Sequence, residues 1–205
     1  MTSKHPAVWI ASIIAAVLIA AISPASAQAP SDFASEPDKS MASAHESFVK
    51  GEMDKAAEHI HKAAVYVRAE GGKVAKDAQK PVKAAADNLD RLSQNVKRGA
   101  VKSGDQLKKT FAQVDHQLAR AWHTTAGVAQ KAGRDSTSAL QKAGAGLAGA
   151  AIWSGAQLKQ GAQASVEGVQ KVGQGVKLGA NDVGTFFKGI GEGIADVGQH
   201  LTASR

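Results

Sequence analysis

Cysteine is absent from the 205-residue chain. That excludes zinc sites built on paired cysteines, thiol nucleophiles, disulfides, and covalent haem attachment through C-x-x-C-H. Aromatic residues make up only 4%, too few for the stacking platforms that single-stranded nucleic acid requires. Nor are the basic residues gathered into a stripe; they are spread among carboxylates, so nucleic acid is not an expected partner. No stretch alternates apolar and polar residues with period two, which argues against a sheet. G-x-S-x-G, the phosphate loop and H-E-x-x-H are all missing, and carboxylates read as scattered over polar helix faces. These gaps point to a protein that is not an enzyme and holds no cofactor.

What is present begins with an export signal. Lys4 and His5 give a short positive start, Ala7 to Ile22 are apolar, Pro24 breaks the run, and Ala25-Ser26-Ala27 is a small-x-small cleavage site. The apolar run falls short of the roughly 20 residues of a spanning helix. Cleavage between Ala27 and Gln28 leaves 205 − 27 = 178 residues in the periplasm or outside the cell. Only Lys4 of the 25 Lys and Arg lies in the signal, so the remaining chain carries 24 − 18 = +6. A mildly basic exported protein suits anionic headgroups or acidic partners.

Residues 28–37 are rich in Pro, Ser and Asp and read as a flexible arm. From there the Ala-, Lys- and Gln-rich texture favours helix. The pattern predicts an all-α fold: an antiparallel four-helix bundle over 38–134, then a Gly/Ala-rich amphipathic helical region over 135–205. The first helix runs from about Asp38 to Lys50, ended by Gly51. The second spans about Met53 to Glu70, ended by Gly71-Gly72. So short a connection at Gly51 makes the two antiparallel. Across Lys73 to Arg98, the residues Ala75, Ala78, Val82, Ala85, Leu89, Leu92 and Val96 step by three and four, a heptad seam. Pro81 either kinks that helix or opens a new one. The fourth, about Asp105 to Lys131, faces inward with Leu107, Phe111, Val114, Leu118 and Ala121/Trp122.

The 70 residues from Ser136 hold 14 of the 21 glycines but only 6 of the 24 remaining basic residues. Glycine costs a helix about 1 kcal/mol each against Ala. Apolar spacing nevertheless stays helical through Val183, Phe187, Ile190, Ile194, Val197 and Leu201. Glycines recur by sevens at Gly161, Gly168, Gly175 and at Gly184, Gly191, Gly198, marking a face without side chains that lets another backbone or a bilayer approach. Two amphipathic helices are expected, about Ser138 to Leu178 and Asp182 to Thr202. Between Lys142 and Lys159 lie 16 uncharged residues, with small residues four apart (Ala145/Gly149, Gly146/Ala150) that invite close helix contact.

Three sets of residues are candidates for function. Ile152, Trp153, Phe186, Phe187, Ile190 and Ile194 would form a lipid-binding or interaction face. Lys109, His116, Arg120 and His123 fall on the back of the fourth helix as an anion face, stronger at low pH. His116 and His123 stand about 10 Å apart along the axis, too far for one metal. His45 and His59 reach the same level across the first hairpin, where metal or bis-histidine haem could bridge them; otherwise His45 is a packed core residue and His59 a surface one.

The first hairpin, Ala42-x-Ala44-His45-x2-Phe48-x2-Gly51-Glu52-x-Asp54-Lys55-Ala56-Ala57, resembles the helical repeats of the YfdX family of exported bacterial proteins. That resemblance covers about 30 residues and implies an accessory role in envelope stress. The Gly-rich last third has no counterpart in that family and is similar in texture to the lipid-binding repeats of apolipoproteins and synucleins. The expected function is protein–protein interaction or self-association in the envelope. Its alternative is binding to an anionic membrane surface through the C-terminal helices. A third reading is His-mediated metal or haem binding.

Overall fold

The structure is a computed structural model that describes residues 35–173 and 179–203. The expected signal, residues 28–34 of the arm, and Gly175 of the glycine rhythm lie outside them. The described residues form seven α-helices and no strand: α1 Glu36–Val49, α2 Met53–Gly71, α3 Lys76–Lys97, α4 Gly104–Lys131, α5 Thr137–Ser154, α6 Gln160–Gly173 and α7 Ala180–Ala203. The all-α fold is as the sequence indicates.

Residues 36 and 37, expected in the arm, belong to α1, and Ser35 stands at its N-cap. Ser35 caps it: its Oγ accepts from Asp38 N–H, while Asp38 Oδ2 accepts from Ser35 N–H at 2.9 Å. This reciprocal capping box satisfies donors a helix start leaves open, and Pro37 in the first turn sacrifices no hydrogen bond. Gly51 then turns the chain into α2 with φ +78°, a conformation cheap only for glycine.

Helix α3 starts at Lys76, three residues later than expected, because Ala75 N–H is taken by Thr125 Oγ1 of α4 at 2.9 Å. It runs unbroken through Pro81. Pro81 and Asp77, whose carbonyl it cannot serve, are both exposed, so the orphaned acceptor lies where solvent can satisfy it. The seam residues Ala78, Val82, Ala85, Leu89, Leu92 and Val96 are all buried.

The region after 135 departs more from expectation. The long helix expected over 138–178 is divided into α5 and α6 over its described residues, because Gly155 adopts φ +70° and ends α5, and residues 174–178 lie outside the described ones. Ser154 Oγ bonds back to Ala150 O at 2.6 Å and accepts Ala156 N–H at 3.3 Å, which fixes the exit. Helix α5 lies along α4 by way of its small residues: a Cβ on Gly146 would stand 3.0 Å from both Ala119 N and Asp115 O. Each helix packs on the next, and α7 returns onto α4 and α5. The core crosses the expected boundary at 134/135 without a break, running from Met41, Ile60 and Phe111 to Leu140, Leu147 and Ile190. Among the described residues no helix is long and apolar enough to cross a membrane.

Candidate functional site

Between the first turn of α1, the C-terminal half of α2, α4 and α5 lies a pocket of about 570 Å³. Its walls include Leu118 and Trp122 of α4, Tyr66 of α2 and Ala145 of α5, and Asp38 and Asp115 are among its lining residues. Asp38 is held by the α1 cap. Asp115 sits four residues after Phe111 and three before Leu118, on the buried stripe of α4, and is wholly buried.

The two carboxyls meet over Gly149 of α5. A Cβ there would stand 2.5 Å from Asp115 Oδ2 and 3.2 Å from Asp38 Oδ1, so glycine is what makes room for the pair. No donor from outside the pair reaches Asp38 Oδ1 or either oxygen of Asp115. Burial, followed by the adjacent Asp38 charge and hydrogen bond, pushes Asp115 well above the ordinary carboxylate range. Burial raises Asp38 too, against the opposing hydrogen bonds of Ser35 and Asp115. Two neighbouring acids out of water cannot both ionise cheaply, so the pair retains a proton.

The rim carries the opposite charge. Glu70 accepts from Lys73 Nζ at 2.7 Å and from Lys142 Nζ at 2.8 Å. Burial alone would raise Glu70, but those two hydrogen bonds bring it below its usual value. Lys142 also stands 4.2 Å over the Trp122 ring, a cation–π contact that holds the indole in the wall.

The residues singled out from sequence fall elsewhere. Of the anion face, Lys109 and Arg120 are exposed, but His116 is buried and His123 half-buried. Both histidines lie under α7, so the four do not make one open basic surface. His123 Nε2 meets Phe187 O at 3.0 Å and His116 Nε2 meets Ile194 O at 2.9 Å. A Cβ on Gly191 or Gly198 would stand 3.1 or 3.0 Å from those same nitrogens. The glycine four residues past each carbonyl therefore clears a path for the imidazole. Histidines seven apart on α4 fit glycines seven apart on α7, the two helices running in opposite directions. Burial lowers the His116 pKa against its bond to Ile194.

The six residues expected to form a lipid or interaction face do not share one open surface. Ile190 and Ile194 are core residues. Trp153 packs edge-on against Phe111 at 5.2 Å, and Phe187 stacks on His123 at 4.0 Å. Phe186 covers Gly168. Only Ile152 of the six is exposed, at 54%. The glycine face of α6 and α7 is thus filled largely from within the chain. His45 turns toward Trp153, 5.9 Å away, and toward Gly104 at the start of α4, while His59 is half-buried on α2. Among the described residues no group of three or more His, Cys, Asp or Glu could hold a metal ion.

Sequence reasoning missed the Asp38/Asp115 pair by assigning every carboxylate to a polar face. One signal was available: an acid inside the Phe111/Leu118 stripe, with no apolar explanation. Its partner and the glycine that admits both come from other helices, and nothing local announces them. Compared with known proteins, the chain matches no family model, no curated protein and no solved structure.

Proposed function

We propose that the chain is an exported, non-enzymatic helical binding protein of the envelope, and that it holds a small molecule in the pocket between α1, α2, α4 and α5. The observation that carries this reading is the pocket itself. Its volume of about 570 Å³ falls in the range of roughly 300–1,000 Å³ that suits small ligands. Apolar walls with a few converging polar groups are the usual makeup of such a site. The likeness of the first hairpin to YfdX repeats supports an accessory role. A protein partner is the second reading, favoured by Ile152, which stands exposed beside the half-buried Trp153.

Native mass spectrometry of the protein isolated from its own envelope tests the proposal. A one-to-one small-molecule adduct is expected, and Ala145→Phe, which fills the pocket, should remove it. A stoichiometric protein partner with no adduct, retained by Ala145→Phe, would overturn the pocket in favour of the second reading.

A further inference from the structure

Resting on the pocket reading above, we infer that the ligand is an uncharged amphiphile, its apolar body lying against Leu118, Trp122 and Ala145 and its hydroxyl or carbonyl head met by Tyr66, Gln141 and Gln170. The first argument is an account of charge. Glu36, Asp38, Glu70, Lys73, Asp115 and Lys142 are the acidic and basic residues around the pocket, and each already has its partner within the chain. Glu36 is paired with Lys39 at 3.0 Å. Glu70 holds both Lys73 and Lys142. Asp38 and Asp115 bond to each other, and Asp38 Oδ1 and both oxygens of Asp115 are closed to solvent. No charge on the wall waits for a counter-charge from a ligand.

A charged head would have to take a partner from one of these pairs. An anion reaching for Lys73 or Lys142 would sit beside Glu70, the carboxylate that already binds both. A cation reaching for Glu70 would displace Lys73, or draw Lys142 from the Trp122 ring it stands over at 4.2 Å. Burying a charge without a full partner is costly, whereas an uncharged head breaks no pair. The second argument is the set of polar groups left over. Among the described residues, the Tyr66 hydroxyl and the Gln170 amide make no hydrogen bond with the protein. Gln141 gives only its Nε2, to Val169 O at 3.3 Å. A hydroxyl and two amides both donate and accept, so together they receive an alcohol or a carbonyl and have no preference for an ion. The Gln141 bond to Val169 sets it beside Gln170, and the two amides make one polar edge of the pocket. Ala69, Ala145 and Gly146 leave the room for the apolar body, since none of them projects a large side chain.

Octan-1-ol, sodium octanoate and octylammonium chloride share one body and differ in the charge of the head, and calorimetric titration of each near pH 7 into the full chain without its signal separates the possibilities. Octanol should bind one-to-one and at least about tenfold tighter than either ion, the margin set by leaving a charge poorly paired. Its affinity should be the same in low and high salt, because no ionic contact forms. Tyr66→Phe combined with Gln170→Leu should weaken octanol at least about fivefold, through lost hydrogen bonds, with unchanged far-UV circular dichroism. Octanol binding untouched by that double change would overturn the assignment of the head. Octanoate binding as tightly as octanol or tighter, and lost in Lys142→Met, would overturn the uncharged class in favour of an anion. Octylammonium doing so would overturn it in favour of a cation on Glu70. In either case the pocket stands if Ala145→Phe blocks binding; Ala69→Trp, at the exposed rim, serves should Ala145→Phe not fold. Binding of no probe, or binding that ignores both blocking changes, would overturn the pocket as well.

Discussion

Gly189→Ala and Gly184→Ala are the same chemical change on the same helix, and the structure assigns them opposite signs. Both relieve a helical glycine, a gain of about 1 kcal/mol. At Gly184 the new Cβ has nothing within 4 Å, so the gain is kept and Tm rises by about 2–4 °C. At Gly189 the Cβ would stand 2.0 Å from Ser165 Oγ and 2.9 Å from the Gly161 carbonyl oxygen. Ser165 is buried and its hydroxyl already donates to that carbonyl at 2.8 Å. It has nowhere to turn, so α6 must retreat from α7. Overpacking costs about 1–3 kcal/mol, and losing the Ser165 bond adds about 1 kcal/mol. After subtracting the propensity gain, Gly189→Ala should be destabilised by about 1–3 kcal/mol. The two variants then differ by about 3 kcal/mol, or about 10 °C in Tm, read by thermal and urea unfolding followed by circular dichroism. Adding Ser165→Gly to Gly189→Ala should recover part of the loss. If Gly189→Ala proves as stabilising as Gly184→Ala, the two helices do not approach as described, and close contact is not what the glycines serve.

Asp115→Asn should stabilise the free protein increasingly as pH rises. A carboxyl raised in the fold contributes most when protonated, and that contribution is lost as pH climbs from the ordinary carboxylate value through the raised one; urea midpoints of the two proteins should converge in acid and separate near neutrality. His116 works in the opposite sense, since burial lowers its pKa below 6.5: its contribution is complete above that value and lost as pH falls through the folded pKa. His116→Gln should therefore flatten the acid side of the stability profile, and an unchanged slope would remove His116 as its source. Gly155→Ala, forced to φ +70°, should cost about 1–2 kcal/mol with no change in helical content, whereas a gain in helicity would mean that α5 and α6 join.

Helix identity was legible because burial has a period. The steps of three and four through Val82, Leu89 and Val96, and through Ile190, Ile194 and Val197, are what a helix with one buried side demands, and all six are buried. Ends were legible where glycine takes a left-handed turn after a clear apolar pattern, as at Gly51. Gly155 went unread because it stands among helical glycines of identical composition; its difference from Gly149 or Gly161 lies in backbone angle alone. The site was harder to see. An acid on an apolar stripe is visible in one helix, but its meaning depends on Asp38 and Gly149, which only tertiary packing brings alongside. The histidines of α4 read as solvated because the helix that covers them arrives more than sixty residues later.

The fit of α4 into α7 repeats like the teeth of a rack, and a rack has more than one notch. Sliding α7 by seven residues, about 10 Å, would set His123 against Gly184 and His116 against Gly191 with similar geometry. What distinguishes the notches lies on the other side of α7. Gly193 fits against Leu147 and Ala162, Gly189 against Ser165, and Phe186 over Gly168; a slide by seven would put Phe186 in the place of Gly193 and Asp182 in the place of Gly189, where there is no room for a side chain. Helix α6 is therefore the pawl: α4 offers a choice of seats, and α6 selects one.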